Sequence, residues 1–353
     1  MNKRKPKQDQ SAKPLNGSLF FSKTLDFLET YIPKQRSGSK NTVETYRLSL
    51  SVFRNYVHDE KGISIRDFCF ADCTYDFILD FRNWLHDVKG FKESTTNNRL
   101  AAIKSYVSYA AARDITIQQV AFAISEVPMY KLPKVIRPVI ESEETLSALL
   151  NAPGNTRLGL RDKAILVMLF DTAVRVDELV NLCYSDVNLA VSEPYIHIYG
   201  KGNKERKVYF SSNAVGIIFQ YACEFHPDKD RGTPFFYTTI HNRTGYMSRR
   251  NVERIVKKYA DQIRQGHNDL PDTVYPHLLR RTRATGLYQD GVDLFAISTL
   301  LGHAQIQTTK EHYAFPSVEQ MRAVMERGSS AEPEEKQLWP DDEDELARLC
   351  GLK

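Results

Sequence analysis

The chain has 353 residues, 48 Lys and Arg against 44 Asp and Glu, a formal net charge of +4 and 42% apolar residues. With 18 Phe, 18 Tyr and an ordinary aliphatic load it can bury enough surface to offset chain entropy, which excludes disorder along its whole length. The longest apolar run, Ala164 to Phe170, falls far short of the ~18–20 residues of a membrane helix. Length suits two domains. The first residues, Met1 to Lys7, are charged with no apolar stretch behind them, so they do not read as a secretory signal and the expected location is the cytoplasm. Five scattered cysteines (Cys69, Cys73, Cys183, Cys223, Cys350) suit reduced thiols. Cys69 and Cys73 are spaced as half a metal site, and no second Cys/His pair completes it.

The charge is unevenly placed. Residues 1–18 form a Pro-, Gln- and Ser-rich basic arm with Lys3, Arg4, Lys5, Lys7 and Lys13 against Asp9. Residues 331–353 form an acidic tail of net charge −5, which leaves +9 on residues 1–330. A basic body with an acidic tail fits nucleic-acid binding among many other roles.

From residue 19 to about 125 the pattern is helical. Val43, Tyr46, Leu50, Phe53 and Val57 recur at spacings of three and four after a Ser39/Asn41/Thr42 cap cluster. Leu100, Ile103, Val107 and Ala110 repeat the pattern after Thr95-Thr96-Asn97. Lys40, Arg47, Arg99 and Lys104 are read as lying near helix starts, whose amides favour phosphate, or else as solvated surface charges. Residues 126–141 carry Pro128, Pro133 and Pro138 with Lys131, Lys134 and Arg137, which predicts an extended basic linker and a domain boundary. A second domain, residues 142–330, follows from the helix start at Ser142.

Four segments of this second domain place chemistry in sequence. An apolar helix ends before Thr172-Ala173-Val174-Arg175, and Arg175 and Glu178 then share one helical face at i, i+3. They form either a surface ion pair or an Arg held by its own Glu with its fork toward a phosphate. Tyr195 to Tyr199 alternates like a strand, Gly200-Lys201-Gly202-Asn203-Lys204 turns, and Arg206 to Phe210 returns, predicting a β-hairpin tipped by Lys201. Pro276-His277-Leu278-Leu279-Arg280 opens a helix with His277 and Arg280 on one face. Leu294 to Leu301 is a short apolar helix stopped by Gly302, followed by His303 and, ten residues on, Tyr313.

Taken together, Arg, Lys, His-x-x-Arg, Leu-Gly-His and Tyr in this order resemble the tyrosine recombinase (phage-type integrase) family, over roughly residues 19–325. The resemblance implies a mainly α fold with a small β component, in which a helical, SAM-like core-binding domain and a mixed α/β catalytic domain clamp duplex DNA. It implies a site-specific DNA recombinase of a mobile element. Tyr313 would attack the scissile phosphate, Arg175 and Arg280 would hold its non-bridging oxygens, Lys201 would protonate the leaving 5′-oxygen, and His277 and His303 would assist, with Glu178 bracing Arg175. Lys40, Arg47, Arg99, Lys104, Lys131, Lys134, Lys204 and Arg206 are the candidate DNA contacts. No metal, ATP or other cofactor is implied. The implied partners are double-stranded recombination sites, three further protomers in a synaptic tetramer, and accessory recombinases or DNA-bending proteins, with no membrane.

The chain departs from the family pattern in several places. Ala173 stands where Gly is usual, so the turn is expected to do without a glycine's access to positive φ. Asp177 replaces a common Ser and is expected to compete with Glu178 for Arg175, and Arg281 replaces a frequent His. The His303 to Tyr313 spacing is one residue longer than usual, which puts His312 at the usual tyrosine position; Tyr288 is the alternative nucleophile. A helix start at Ser317 and leucines at 346, 349 and 352 suggest a C-terminal segment that docks on a neighbouring protomer, or a free acidic tail. A Xer-like resolvase, a cleavage-defective DNA-binding protein of the same fold and a type IB topoisomerase are the competing readings.

Overall fold

The computed structural model describes residues 19–36, 39–133, 137–200, 205–241, 243–302, 307, 309–310, 322 and 342–351. Lys134, Lys201, Lys204, His303, Tyr313 and the expected helix start at Ser317 lie outside them. The chain divides into two compact units that part between Val135 and Ile136. Among the described residues no helix is long and apolar enough to cross a membrane.

The first unit is helical. A helical turn α1 (Thr24–Asp26) leads into a π-helical stretch, Phe27–Gln35, followed by α2 (Lys40–Asn55), α3 (Tyr75–Asn83), α4 (Glu93–Ala111) and α5 (Gln118–Ser125). Helix α2 starts where Ser39 Oγ accepts the Thr42 amide at 3.2 Å, leaving Lys40 exposed in its first turn. Leu50, Phe53 and Val57 of its apolar stripe are buried, as are Leu100, Ile103, Val107 and Ala110 of α4. Their core is aromatic: Phe20, Phe53, Phe68, Phe81 and Tyr106 lie ring to ring at centroid distances near 5 Å. Helix α4 begins earlier than the Thr95-Thr96-Asn97 cluster suggests, with Lys92 as its N-cap and Thr96 buried.

Three of the side chains expected near helix starts lie elsewhere. Arg47, Arg99 and Lys104 sit well inside their helices rather than near the starts. Arg47 is exposed beside Glu44 at 3.9 Å, and Arg99 is half-buried over the Phe91 ring at 5.2 Å. Lys104 points inward, its Nζ donating to the Ser125 and Val127 carbonyls at 2.8 and 2.6 Å, where it satisfies the end of α5.

The extended linker is shorter than its prolines suggest. On one side Arg82 donates to the Pro128 carbonyl at 2.9 Å, and the Asn97 amide both donates to and accepts from the Tyr130 backbone at 2.9 Å. On the other side Arg281 donates to the Pro138 carbonyl at 2.7 Å, and the Ile140 amide donates to Thr282 Oγ1 at 3.1 Å. These bonds give the backbone groups partners within the two units, so residues up to Tyr130 belong to the first and those from Pro138 to the second. Lys131 lies between these anchors, exposed.

The second unit packs α6 (Glu143–Asn151), α7 (Arg157–Asp171), α8 (Val176–Val180), α9 (Ser212–Phe225), α10 (Arg249–Ile263), α11 (Pro276–Gln289) and α12 (Leu294–Leu301) with two small sheets. One sheet is antiparallel in the order β1 (Val187–Asn188), β2 (Tyr195–Tyr199), β3 (Glu205–Tyr209), with Tyr199 opposite Glu205 at the hairpin end. The other is a hairpin of β4 (Tyr237–Ile240) and β5 (Arg243–Tyr246). Helix α7 is the central element: Ala164 to Leu169 are all buried, because neighbours cover it on several sides. A further helix, α13 (Glu343–Leu349), lies in the acidic tail.

Candidate active site

The site begins where α7 stops. Thr172 Oγ1 donates to the Met168 carbonyl at 2.6 Å, and Ala173 then takes φ +49°, reversing the chain. The turn therefore uses the left-handed conformation expected of glycine, with an alanine in it. The Ala173 methyl is fully buried with Ala284, Ile297 and Leu301, against which Leu287 and Tyr288 pack. This small core joins the turn to α11 and α12, and it offsets part of the left-handed penalty.

Arg175 is the N-cap of α8 and Glu178 its third residue, which places the Glu side chain to reach back over the helix start. Glu178 Oε2 accepts the Arg175 amide at 2.9 Å, and Oε1 accepts Arg175 Nη1 at 2.9 Å. The same carboxylate receives Arg206 from β3, Nη1 to Oε1 at 3.0 Å and Nη2 to Oε2 at 2.7 Å. Arg206 Nε donates to the Leu300 carbonyl at 3.0 Å. The Glu178 side chain is 7% exposed and Arg206 11%, whereas Arg175 is 40% exposed. Burial is the largest influence on the Glu178 carboxyl and pushes its pKa up, but the Arg206 hydrogen bonds, the Arg175 amide and both guanidinium charges together hold it below the ordinary value. Arg206 is thus an internal brace. Asp177 does not compete for Arg175, because it pairs with Arg249 of α10 at 3.0 Å on the exposed side.

Helix α11 starts with Pro276 at its first position and brings His277 and Arg280 to the same turn. Arg280 is fully buried, one Nη donating to the Ala173 carbonyl and the other to the Leu301 carbonyl at 2.7 Å. It fixes the Arg175 turn and the end of α12 to the same helix. Beside it Arg281, 2% exposed, binds Pro138 and donates to Tyr275 Oη at 3.0 Å, fastening the N-terminal end of the unit to α11. His277 opens to solvent among these cations. Partial desolvation, followed by the charges of Arg280, Arg281, Arg137 and Arg175, lowers its pKa to about 4. Of these guanidinium groups Arg280 and Arg281 are buried on protein partners, while Arg137 and Arg175 reach the surface, where their charge suits an anion.

Helix α12 ends at Gly302, φ +62°, a left-handed C-cap immediately before His303. A Cβ there would lie 2.8 Å from Arg206 Nη1, so glycine is needed for the guanidinium as well as for the backbone. Tyr288, the alternative nucleophile, is partly buried against the small core on α11. The described residues thus bring Arg175, Glu178, His277 and Arg280 together. Arg206 shares its face of β3 with the buried Val208, so strand periodicity signals an inward side chain but not its partners. Among the described residues no group of three or more His, Cys, Asp or Glu is placed to hold a metal.

Comparison with known proteins bears on this arrangement. The model of the phage integrase family matches residues 140–320, and that of the phage integrase SAM-like domain matches residues 23–124. Tyrosine recombinase XerC of Natranaerobius thermophilus is 32% identical over 292 residues, covering 81% of this chain and 91% of that protein. The chain belongs to the phage integrase family. It is a tyrosine recombinase, a site-specific recombinase that cleaves and rejoins DNA. XerD of Staphylococcus epidermidis is 30% identical over 305 residues, with 83% of this recombinase and 94% of the relative covered. Its fold is shared by the Tn1549 transposon integrase in complex with transposon right end DNA (TM-score 0.61, 18% identity, 87% and 99% of the chains). XerH recombinase bound to its difH substrate shares it too (TM-score 0.60, 19% identity, 86% and 84%).

Two outcomes follow from the turn and the imidazole. Ala173→Gly removes a left-handed penalty of roughly 1–2 kcal/mol against a buried methyl worth about 0.8 kcal/mol, so urea denaturation should show a gain of up to about 1 kcal/mol. Ala173→Val, with a branched side chain in the same conformation, should cost more than about 2 kcal/mol; a substantial loss in Ala173→Gly would contradict the packing described. In the free recombinase, NMR titration of His277 should give a midpoint near 4. Because the native pKa is depressed, its contribution to stability is complete above the ordinary histidine value and is lost as pH falls toward 4. An unshifted midpoint would contradict the crowding of cations around it.

Proposed function

We propose that Arg175, Lys201, His277, Arg280, His303 and Tyr313 form the cleavage site of this recombinase. The observation that supports this reading is the meeting of Arg175, His277 and Arg280 around the Ala173 turn, from helices about a hundred residues apart in sequence. In the proposed step the Tyr313 oxygen attacks the scissile phosphorus and loses its proton to a neighbouring histidine. The bond from phosphorus to the 5′-oxygen breaks, and Lys201 donates a proton to that oxygen. The products are a 3′-phosphotyrosyl link and a free 5′-hydroxyl, and the reverse step with a new 5′-hydroxyl rejoins the strand. Bond energy is conserved in the phosphotyrosine, so no ATP is required.

Arg175 and Arg280 would stabilise charge on the non-bridging oxygens, the part that a metal plays in other phosphoryl transfers. Exchange of strands between two sites calls for four protomers on two duplexes, acting in the cytoplasm, with accessory or DNA-bending proteins as further partners. Lys40, Lys131, Lys134 and Lys204 are the proposed backbone contacts that give binding its salt dependence. The basic arm and acidic tail, which extend the chain beyond a minimal recombinase, favour integration or excision of a mobile element. The 30–32% identity with XerC and XerD over more than nine-tenths of those proteins favours a Xer-like resolvase as the second reading.

A suicide substrate nicked beside the cleavage position tests the assignment. Wild type should accumulate a covalent protein–DNA adduct and Tyr313→Phe should form none. An adduct in Tyr313→Phe that disappears in Tyr288→Phe would move the nucleophile to Tyr288.

A further inference from the structure

Arg206 joins three of the motif-bearing segments: its own strand of the hairpin, the Arg175–Glu178 segment and the end of α12. It stands on β3, five residues after Lys201, opposite Ile198 in the hairpin register. Its fork binds both oxygens of Glu178 at 3.0 and 2.7 Å, the carboxylate that also holds Arg175. Its Nε binds Leu300 at 3.0 Å, and its guanidinium occupies the space a side chain at position 302 would need. A planar fork with two donors on one carboxylate and a third on a backbone carbonyl is a task that lysine cannot perform.

The charge count of this cluster adds a second consequence. One carboxylate is shared by two guanidinium groups, so the trio keeps a net positive charge. Arg206, at 11% exposure, is enclosed, and Arg175, at 40%, is the member that faces outward. Without Arg206, Glu178 would be free to turn its second oxygen to Arg175, and the outward guanidinium would be neutralised and drawn away from a phosphate.

We propose that Arg206 is a positioning residue that sets strand β3, which leads from Lys201, the Arg175 clamp and the end of α12 as one unit, and that keeps Glu178 from neutralising Arg175. The proposal rests on the roles given above to Arg175 and Lys201. Arg206 itself touches no DNA.

The test compares Arg206→Gln, Arg206→Lys, Lys201→Ala and Arg175→Ala in single-turnover adduct formation on nicked duplex. Each is measured with the natural 5′-oxygen and with a 5′-bridging sulfur, a leaving group that needs no proton. Thermal melting identifies variants that fail to fold, and Arg206→Lys, which keeps the charge, covers the case in which Arg206→Gln does. Misplacement of reacting groups by about 1 Å costs on the order of 10²-fold, and Arg206→Gln should lose about that much rate at saturating DNA. Its affinity for the uncleaved site should stay within about threefold of wild type, with an unchanged salt slope. The sulfur substrate should recover about tenfold of the lost rate, the share owed to the hairpin, and leave the share owed to Arg175. Arg206→Lys should fall between Arg206→Gln and wild type.

Weakened binding with a shallower salt slope and an undiminished rate at saturation would overturn the proposal and make Arg206 a phosphate contact. An Arg206→Gln defect untouched by sulfur would overturn the link to the hairpin. Wild-type rates in Lys201→Ala and Arg175→Ala would instead remove the roles on which the proposal rests, whatever Arg206 does.

Discussion

The carboxylate of Glu178 organises the catalytic unit of this recombinase. It is buried, and a buried carboxylate is costly unless it is paired and hydrogen-bonded. Here it accepts the amide and guanidinium of Arg175 and the fork of Arg206, which keeps it ionised. Because the two arginines come from a helix start and a β-strand, satisfying one charge fixes the relation of two elements. Arg206 then carries the constraint to the end of α12 through Leu300, and Arg280 closes the circuit by binding both Ala173 and Leu301. The arrangement is held by polar bonds inside a protein interior, where they are stronger than in water and where losing any one strands its partner.

The second consequence is electrostatic. The described part of the site gathers Arg137, Arg175, Arg280 and Arg281 about His277 with one buried carboxylate among them. Their combined charge favours an anion beside His277, and a DNA phosphate is the anion proposed for it. A neutral His277 among fixed cations can accept a proton once a phosphate offsets those charges, which suits the assisting role proposed for it. Arg281, in place of the family's frequent histidine, adds one more fixed charge and ties α11 to the point where the chain enters the unit at Pro138.

Apolar periodicity made the helices legible. The stripes through Phe53 and through Ile103 are buried where spacing placed them, and the Pro276 start, the Gly302 stop and the Tyr195 to Tyr209 hairpin follow local backbone chemistry. Direction of polar side chains was less legible. Lys104 and Arg206 have the composition of DNA contacts, but each meets carbonyls or a carboxylate brought near by tertiary folding, which one strand or helix cannot announce. The division of the chain falls within the proline-marked linker, but its anchors were not legible: prolines mark where helix is impossible, while Arg82, Asn97 and Arg281 decide where the chain is fastened. Ala173 shows the opposite case, a turn that keeps the left-handed geometry by packing its methyl where glycine is usual.

The most direct measurement of the central claim is single-turnover cleavage by Glu178→Gln, which keeps the shape of the side chain and removes its charge. If the carboxylate sets the Arg175 clamp, adduct formation at saturating DNA should fall by about 10²-fold or more, a loss comparable to that of one transition-state donor, with site affinity changed by less than about threefold. Cleavage at the wild-type rate, in a protein of undiminished stability, would contradict it.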